Sequence, residues 1–371
     1  MSGMGEVLHN GIELPRDWPP RYVDDGSTDP PSIPYLTAPP DVIGIGVGRQ
    51  LFVDDFVIES TTLERRFGKP RLHPASPVLT PRTDAELDDG HCPMAAPFND
   101  GVWHDPADGL FKMWYMPGWF HSMALAISDD GLHWRRPTLD VVPGTNLVWP
   151  DRRGWDRDGA LVWLDHEADD PGERYKMFQF YRYDDPAKRG TAAEGRLHVS
   201  PDGVHWSEGQ PTNAVGDNTT FFRDPFRRKW CMSIRRMSAA DRLRVRHYRQ
   251  WDRFLDGALW DESAEESYWQ RTDRLDVPDP RRPDHRVALY DVNVTPYESL
   301  MLGLFAVFRG PENPVCEREG VPKLIDLTVG FSRDGFHFDR PDRSAFLGSS
   351  RRVGAWNRAY LHAAGGVCLV V

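Results

Sequence analysis

From residue 92 onward the apolar positions fall into short runs separated by clusters of Gly, Pro, Asp and Asn, and almost none recur at a helical interval. Such a pattern predicts strands joined by tight turns. One turn repeats. Asp130-Gly131-Leu132-His133-Trp134 returns as Asp202-Gly203-Val204-His205-Trp206, as Asp256-Gly257-Ala258-Leu259-Trp260 and as Asp334-Gly335-Phe336-His337-Phe338, at intervals of 72, 54 and 78 residues. Three copies carry a serine two residues earlier: Ser128, Ser200 and Ser332. Asp-Gly between apolar runs marks a hairpin, because glycine supplies positive φ without a steric penalty.

The repeat extends backwards from each turn. An apolar run with a methionine in register precedes it: Leu110–Tyr115, Arg174–Phe178, Lys229–Met232 and Leu300–Leu302. Turns come before these, at Asp105-Pro106, Asp170-Pro171, Asp224-Pro225 and Thr295-Pro296. Before the turns lie further strands, opening near Asp100, Asp158, Asp217 and Asp291. One unit therefore reads strand A, turn, strand B, loop, strand C, Asp-Gly turn, strand D. Repetition of that unit predicts an all-β, five-bladed β-propeller of four-stranded antiparallel blades. The fifth blade is incomplete: it opens at Trp356-Asn357-Arg358-Ala359-Tyr360 and reaches Gly366–Val371, where the sequence stops. Either the chain is a fragment, the preferred reading, or a strand expected over Leu51–Ile58 helps to close the ring. Residues 1–47, rich in Pro, Gly and Asp, read as an arm over the surface or partly disordered, and 48–371 as the propeller domain. Gly44-Ile45-Gly46-Val47-Gly48 lacks the strand before it and the helix after it that a phosphate-binding loop needs.

Composition narrows the partners. With 371 residues and 40% hydrophobic content the chain can bury a real core, and its formal charge of −11 argues against nucleic acid and anionic membrane. No apolar stretch is long enough to span a bilayer and no signal peptide opens the chain. Cys92, Cys231, Cys316 and Cys368 are too scattered for a metal-type pair and read as free thiols, so a reducing, cytoplasmic setting is expected. No cofactor and no metal are expected, and the oligomeric state is not set by the sequence. Fourteen tryptophans suit β cores, and some can line a sugar site.

Topology then sorts the carboxylates. The turn aspartates Asp130, Asp202, Asp256 and Asp334, with Asp105 and Asp224, fall on the face away from the A-strand starts, where they hydrogen-bond their own turns. Strand A is innermost in a blade, so Asp100, Asp158, Asp217 and Asp291 should converge at one mouth of the channel. Carboxylates in one cleft raise each other's pKa, which suits glycosidic cleavage by a proton donor and a second carboxylate. The structural alternative is that they cap strand ends or hold a central water or cation. The B–C loops rim the same mouth. They bring Trp119 and His121 in Pro117-Gly118-Trp119-Phe120-His121, the mixed stretch from Tyr181 to Lys188-Arg189, Arg235-Arg236, and Arg309-Gly310. His91, just before the first A strand, can reach the mouth.

These blade motifs, with Leu51-Phe52-Val53-Asp54-Asp55, Phe111-Lys112-Met113-Trp114-Tyr115 and Ser-x-Asp-Gly-x-His-Trp, resemble bacterial proteins described as glycosyl hydrolase family 32-like. Those are related to the five-bladed invertases, levansucrases and arabinanases. The resemblance runs from about Leu51 to the C-terminus. It implies a glycosidase with an Asp on the first inner strand, a second Asp stabilising the transition state, and a Glu acid. Asn99-Asp100 is similar to the first motif, without the Pro-Asn-Gly that follows it there. Asp217 takes the second place, while the literal Arg223-Asp224-Pro225 falls at a turn. No Glu-Cys pair stands where the acid belongs; Asp291 does, with Glu298 seven residues on.

The leading expectation is a glycoside hydrolase-like enzyme acting on an oligosaccharide or glycoside. Asp100 is its nucleophile or base, Asp217 its stabiliser, and Asp291 or Glu298 its acid. Asp158, Trp119, His121, His91 and Arg235 bind substrate. The alternatives are a non-catalytic carbohydrate-binding propeller and an inactive truncated homologue.

Overall fold

The computed structural model describes residues 5–151, 154–185 and 190–366. Lys188-Arg189 and the last apolar run from Val367, Cys368 included, lie outside them. The chain divides into two compact units. The central unit comprises Leu72–Phe221, Arg253–Trp260 and Ala363–Val371; the terminal unit comprises Met1–Arg71, Phe222–Asp252 and Asp261–His362.

The central unit holds two sheets. The first is β1 (Ala95–Asp105), β2 (Leu110–Pro117), β3 (Met123–Ser128) and β4 (Leu147–Trp149). The second is β5 (Trp155–Leu164), β6 (Tyr175–Asp185), β7 (Gly190–Ser200) and β8 (Gln210–Pro211). Each is an antiparallel meander with its strands side by side in chain order. The two sheets pack through tryptophan: the Trp103 indole stands 4.7 Å from Trp163 and donates to the Val162 carbonyl at 2.8 Å. Trp114, wholly buried, donates to Gly203 O at 2.7 Å. Gly203 has φ +77, and a Cβ there would stand 2.5 Å from the Trp114 ring. Glycine is needed at that turn both for its backbone angle and for the close approach.

The terminal unit carries a sheet with order β12-β11-β10-β9, where β9 is Thr220–Asp224, β10 Lys229–Met237, β11 Arg244–Trp251 and β12 Ser267–Gln270. It also carries the sheet of β13 (Ala288–Tyr297), β14 (Leu300–Phe308) and β15 (Ile325–Ser332). After β15 the described residues make only isolated bridges, among them Phe331 with Asp339 and Leu327 with Leu347. Pro341 lies between them and has no N–H for a ladder.

Successive meanders of this kind are the blades of a β-propeller. The all-β propeller class therefore holds, with four blades among the described residues rather than the five expected. Within the terminal unit, residues of the anticipated fifth blade give only the bridges Ile325 with Tyr360 and Ser350 with Arg358. Within the central unit, Gly365 exchanges backbone bonds with Asn99 O and Val102 N along β1, both at 3.0 Å.

Three copies of the repeated turn share one construction. Ser128 Oγ accepts from Gly131 N at 2.9 Å, Asp130 Oδ1 accepts from the N–H groups of Leu132 and His133 at 2.8 Å, and Asp130 Oδ2 meets His133 Nδ1 at 2.6 Å. Asp202 with His205 and Asp334 with His337 repeat it. The Asp256 copy lacks the serine and the histidine, and Phe254–Gly257 forms a 3-10 turn instead.

The described N-terminal residues pack within the terminal unit. Leu8, Ile12, Leu14, Ile33, Tyr35 and Phe56 make a small core. Asn10 Nδ2 donates to Arg333 O at 2.8 Å and the Tyr35 hydroxyl to His337 O at 3.1 Å. The strand expected over Leu51–Ile58 does not form. Asp54 there is buried and accepts from Arg333 Nε at 2.8 Å and 3.0 Å, so an ion pair takes the place of ladder bonds.

Candidate active site

Each inner strand should run unbroken beside its neighbour, but three of them slip register where the candidate aspartates sit. Between Ala96 and Gly101, β1 holds three more residues than β2, with Phe98 at φ +49 and Gly101 at φ +145. Between Arg157 and Ala160, β5 holds one more than β6; between Leu289 and Asp291, β13 holds one more than β14. A bulge bends its strand and re-aims the side chains on it, and bulges gather at functional sites.

In the central unit three of the four aspartates each meet an arginine of β5 or β6. Asp100 is fully buried, and Arg157 Nη2 donates to its Oδ1. Burial raises the Asp100 carboxyl from its ordinary 3.8 to about 7, with Arg157 opposing that rise only in part. Asp100 Oδ2 and Arg157 Nε and Nη1 have no hydrogen-bond partner among the described residues. Arg182 on β6 reaches Asp158 Oδ2 and, at 3.2 Å, Asp217 Oδ2. Asn99 Nδ2 donates to Asn218 Oδ1 at 3.2 Å, joining the neighbours of Asp100 and Asp217. Asn218 has φ +56, a left-handed bend just before β9. Arg182 and Asp217 are the open members of this group, at 36% and 16% side-chain exposure; Asp158 is at 3%.

An aromatic wall flanks them. Trp119 and Phe120 stack with centroids 4.1 Å apart, Phe98 meets Trp119 edge-on at 6.3 Å, and the Arg182 guanidinium lies 5.6 Å from the Phe120 ring. The Phe120 carbonyl accepts from Arg157 N at 2.8 Å, which ties the β2–β3 loop to β5. Trp155 stacks on Tyr183 at 4.4 Å. His121 is half-exposed and 3.3 Å from Asp88, while His91 is exposed and donates its backbone N–H to Asp88 O at 2.7 Å. Planar rings beside carboxylates and a guanidinium match a sugar, whose C–H faces stack and whose hydroxyls both donate and accept.

The other candidates belong to the terminal unit. Asp291 is buried, and its Oδ2 meets His362 Nδ1 at 2.8 Å; the Tyr360 hydroxyl donates to that of Tyr290 at 2.8 Å. Glu298 lies at the turn after β13, at the opposite end of that strand from Asp291, with Arg49 donating to it at 2.6 Å and 2.9 Å. At about 3.4 Å per residue the two carboxyl groups cannot share one small ligand. Arg235 is on β10, paired in register with Arg246.

Arg157 and Trp155 have no counterpart in the motif reading. A single arginine before an aspartate inside an apolar strand carries no periodic signal. Among the described residues no group of three or more His, Cys, Asp or Glu side chains could hold a metal ion, and no helix is long and apolar enough to cross a membrane. Cys92, Cys231 and Cys316 are free thiols.

No protein-family model and no curated protein sequence matches the chain. Solved structures do. An N-acetylgalactosamine deacetylase from F. plautii, in complex with blood group B trisaccharide, is 17% identical with a TM-score of 0.51, over 75% of each chain. A thermostable family-43 glycoside hydrolase is 9% identical with a TM-score of 0.44, over 68% of this chain and 75% of its own. An endo-arabinase from Bacteroides thetaiotaomicron VPI-5482 is 8% identical with a TM-score of 0.43, over 67% and 80%. At these identities what is shared is the β-propeller fold alone.

Proposed function

We propose that the chain is a carbohydrate-active hydrolase of glycosidase type, with its chemistry at the cluster of Asp100, Asp158 and Asp217. The observation that supports this reading is a run of contacts: Arg157, next to Asp158 in the chain, holds Asp100, Arg182 reaches both Asp158 and Asp217, and the Arg182 guanidinium lies 5.6 Å from the Phe120 ring that stacks on Trp119. A carboxyl at about 7 keeps its proton in about half of the molecules at neutral pH, so Asp100 suits the acid better than the nucleophile or base to which its motif points. Asp217, the most open of the three carboxylates, is the group to act on water or the anomeric carbon. Asp158 holds Arg182 in place to bind sugar hydroxyls, and Trp119 and Phe120 stack against the ring. His91 and His121 border the loop that presents them. Asp291, Glu298 and Arg235 receive no role in the reaction. The deacetylase of like fold was crystallised with a trisaccharide, and a carbohydrate is the ligand class proposed here.

A second reading, sugar binding without cleavage, is favoured by one observation: Asp100 has no exposed surface. Kinetics separate the two. Turnover of a responsive oligosaccharide should fall by about 10²–10⁴ in Asp217→Asn and in Asp100→Asn. Unchanged turnover in both would overturn the assignment, and saturable binding with no product from the wild type would establish the second reading.

A further inference from the structure

The terminal unit contains a cavity of about 400 Å³ far richer in positive charge than the chain around it. Its wall carries Arg281, Arg282, Arg351 and Arg358 against only two carboxylates, Asp279 and Asp284. The protein as a whole carries a formal charge of −11, so an excess of guanidinium here is a local feature.

The arginines are not all spent on neighbours. Asp279 serves two of them, accepting from Arg281 Nη2 at 3.0 Å and from Arg351 Nε at 3.3 Å. Arg351 is also paired with Asp326, at 3.1 Å, and Arg281, with Arg351, holds the Asp279 carboxyl well below the ordinary carboxylate range, so Asp279 stays ionised. Arg282 reaches Glu319 at 2.6 Å. Arg358 is exposed and has no carboxylate partner among the described residues. The floor is apolar, made of Pro311, Val321, Pro322, Leu324 and Ala359.

We propose that this cavity binds a small organic anion, its carboxylate or phosphate held by Arg358 and Arg282 and its carbon skeleton resting on the apolar floor. A guanidinium presents paired N–H donors that match either oxyanion, which is why arginine prevails where such groups are recognised. A volume of about 400 Å³ admits a single acidic monosaccharide or a molecule of similar size. The site lies wholly within the terminal unit and does not depend on the reaction proposed for the central one.

Isothermal titration of the full chain with galacturonate, glucose 1-phosphate and neutral galactose tests it. At least one of the two anions should bind about ten-fold or more tightly than galactose, and raising salt from about 0.05 M to about 0.5 M should weaken it several-fold. Which anion binds assigns the oxyanion, and either supports the site. Arg358→Ala should weaken binding about ten-fold, and Arg358→Lys less, since it retains charge but loses the paired donors. Arg358 is exposed, so these variants should fold as the wild type does, which circular dichroism would check. Equal affinity for charged and neutral sugars, absence of anion binding, or unchanged affinity in Arg358→Ala would overturn the proposal.

Discussion

Replacing Asp100 by Asn should make the protein more stable at pH 8 while it removes activity. The sign follows from where the proton sits. In the unfolded chain the Asp100 carboxyl ionises near its ordinary 3.8; in the fold, burial raises that to about 7. Between those pH values the folded state holds a proton that the unfolded state has released. Wild-type stability therefore falls as pH rises through the window, and the loss is complete above about pH 7. At about 1.4 kcal/mol per pH unit the difference amounts to about 4 kcal/mol. Asparagine has no such titration and keeps a neutral acceptor for Arg157. At pH 4 the two proteins should differ by about 1 kcal/mol or less. At pH 8 the variant should be the more stable by up to about 4 kcal/mol, or about 2 M in urea midpoint for a slope of about 2 kcal/mol/M. Urea unfolding at pH 4, 6 and 8 and constant ionic strength measures this. A variant that loses several kcal/mol at pH 8 would show that Arg157 stabilises the carboxylate, and the case for Asp100 as proton holder would fail.

Two further substitutions probe the scaffold. Asp105 accepts from Lys112 at 2.7 Å and from Arg174 at 2.8 Å, and although burial works against the charge, these bonds and that from Tyr175 hold its carboxyl far below the ordinary range. Asp105→Asn, which leaves two cations facing a neutral group, should cost about 3–5 kcal/mol at pH 7 in a urea titration. That contribution is present above about pH 4 and is lost as pH falls toward the depressed value, so the gap between variant and wild type should close in acid; a gap independent of pH would count against the assignment. Gly203→Ala would put a methyl 2.5 Å from the Trp114 ring at φ +77 and should cost about 2 kcal/mol or more, with altered near-UV circular dichroism from the displaced indole; an unchanged midpoint would show that the turn is not fixed by that contact.

The blade repeat was legible because its signal is local. A serine, an aspartate, a glycine and a histidine within six residues close one turn by themselves, and each of the three complete copies does so. The Asp256 copy misled because Asp-Gly without the serine and histidine has no such closure. The inner aspartates could be found from strand order, but their bulges could not: one added residue in an apolar run leaves no mark on composition, yet it decides where Asp158 and Asp291 point. Arg157 was hidden for the same reason. Leu51–Ile58 has the β-branched and aromatic content of a strand, and only the distant partner Arg333 shows why Asp54 is buried instead. Glu298 illustrates the opposite error. Seven residues is close in sequence but is the length of a strand in space.

The most direct test of cleavage at the Asp100, Asp158 and Asp217 cluster is incubation of the purified protein with a panel of oligosaccharides in water enriched in oxygen-18, followed by mass spectrometry of the products. Hydrolysis at this site predicts at least one shortened glycan carrying a single heavy oxygen at its new reducing end, abolished by Asp217→Asn. Glycans that bind saturably and return intact and unlabelled would contradict it.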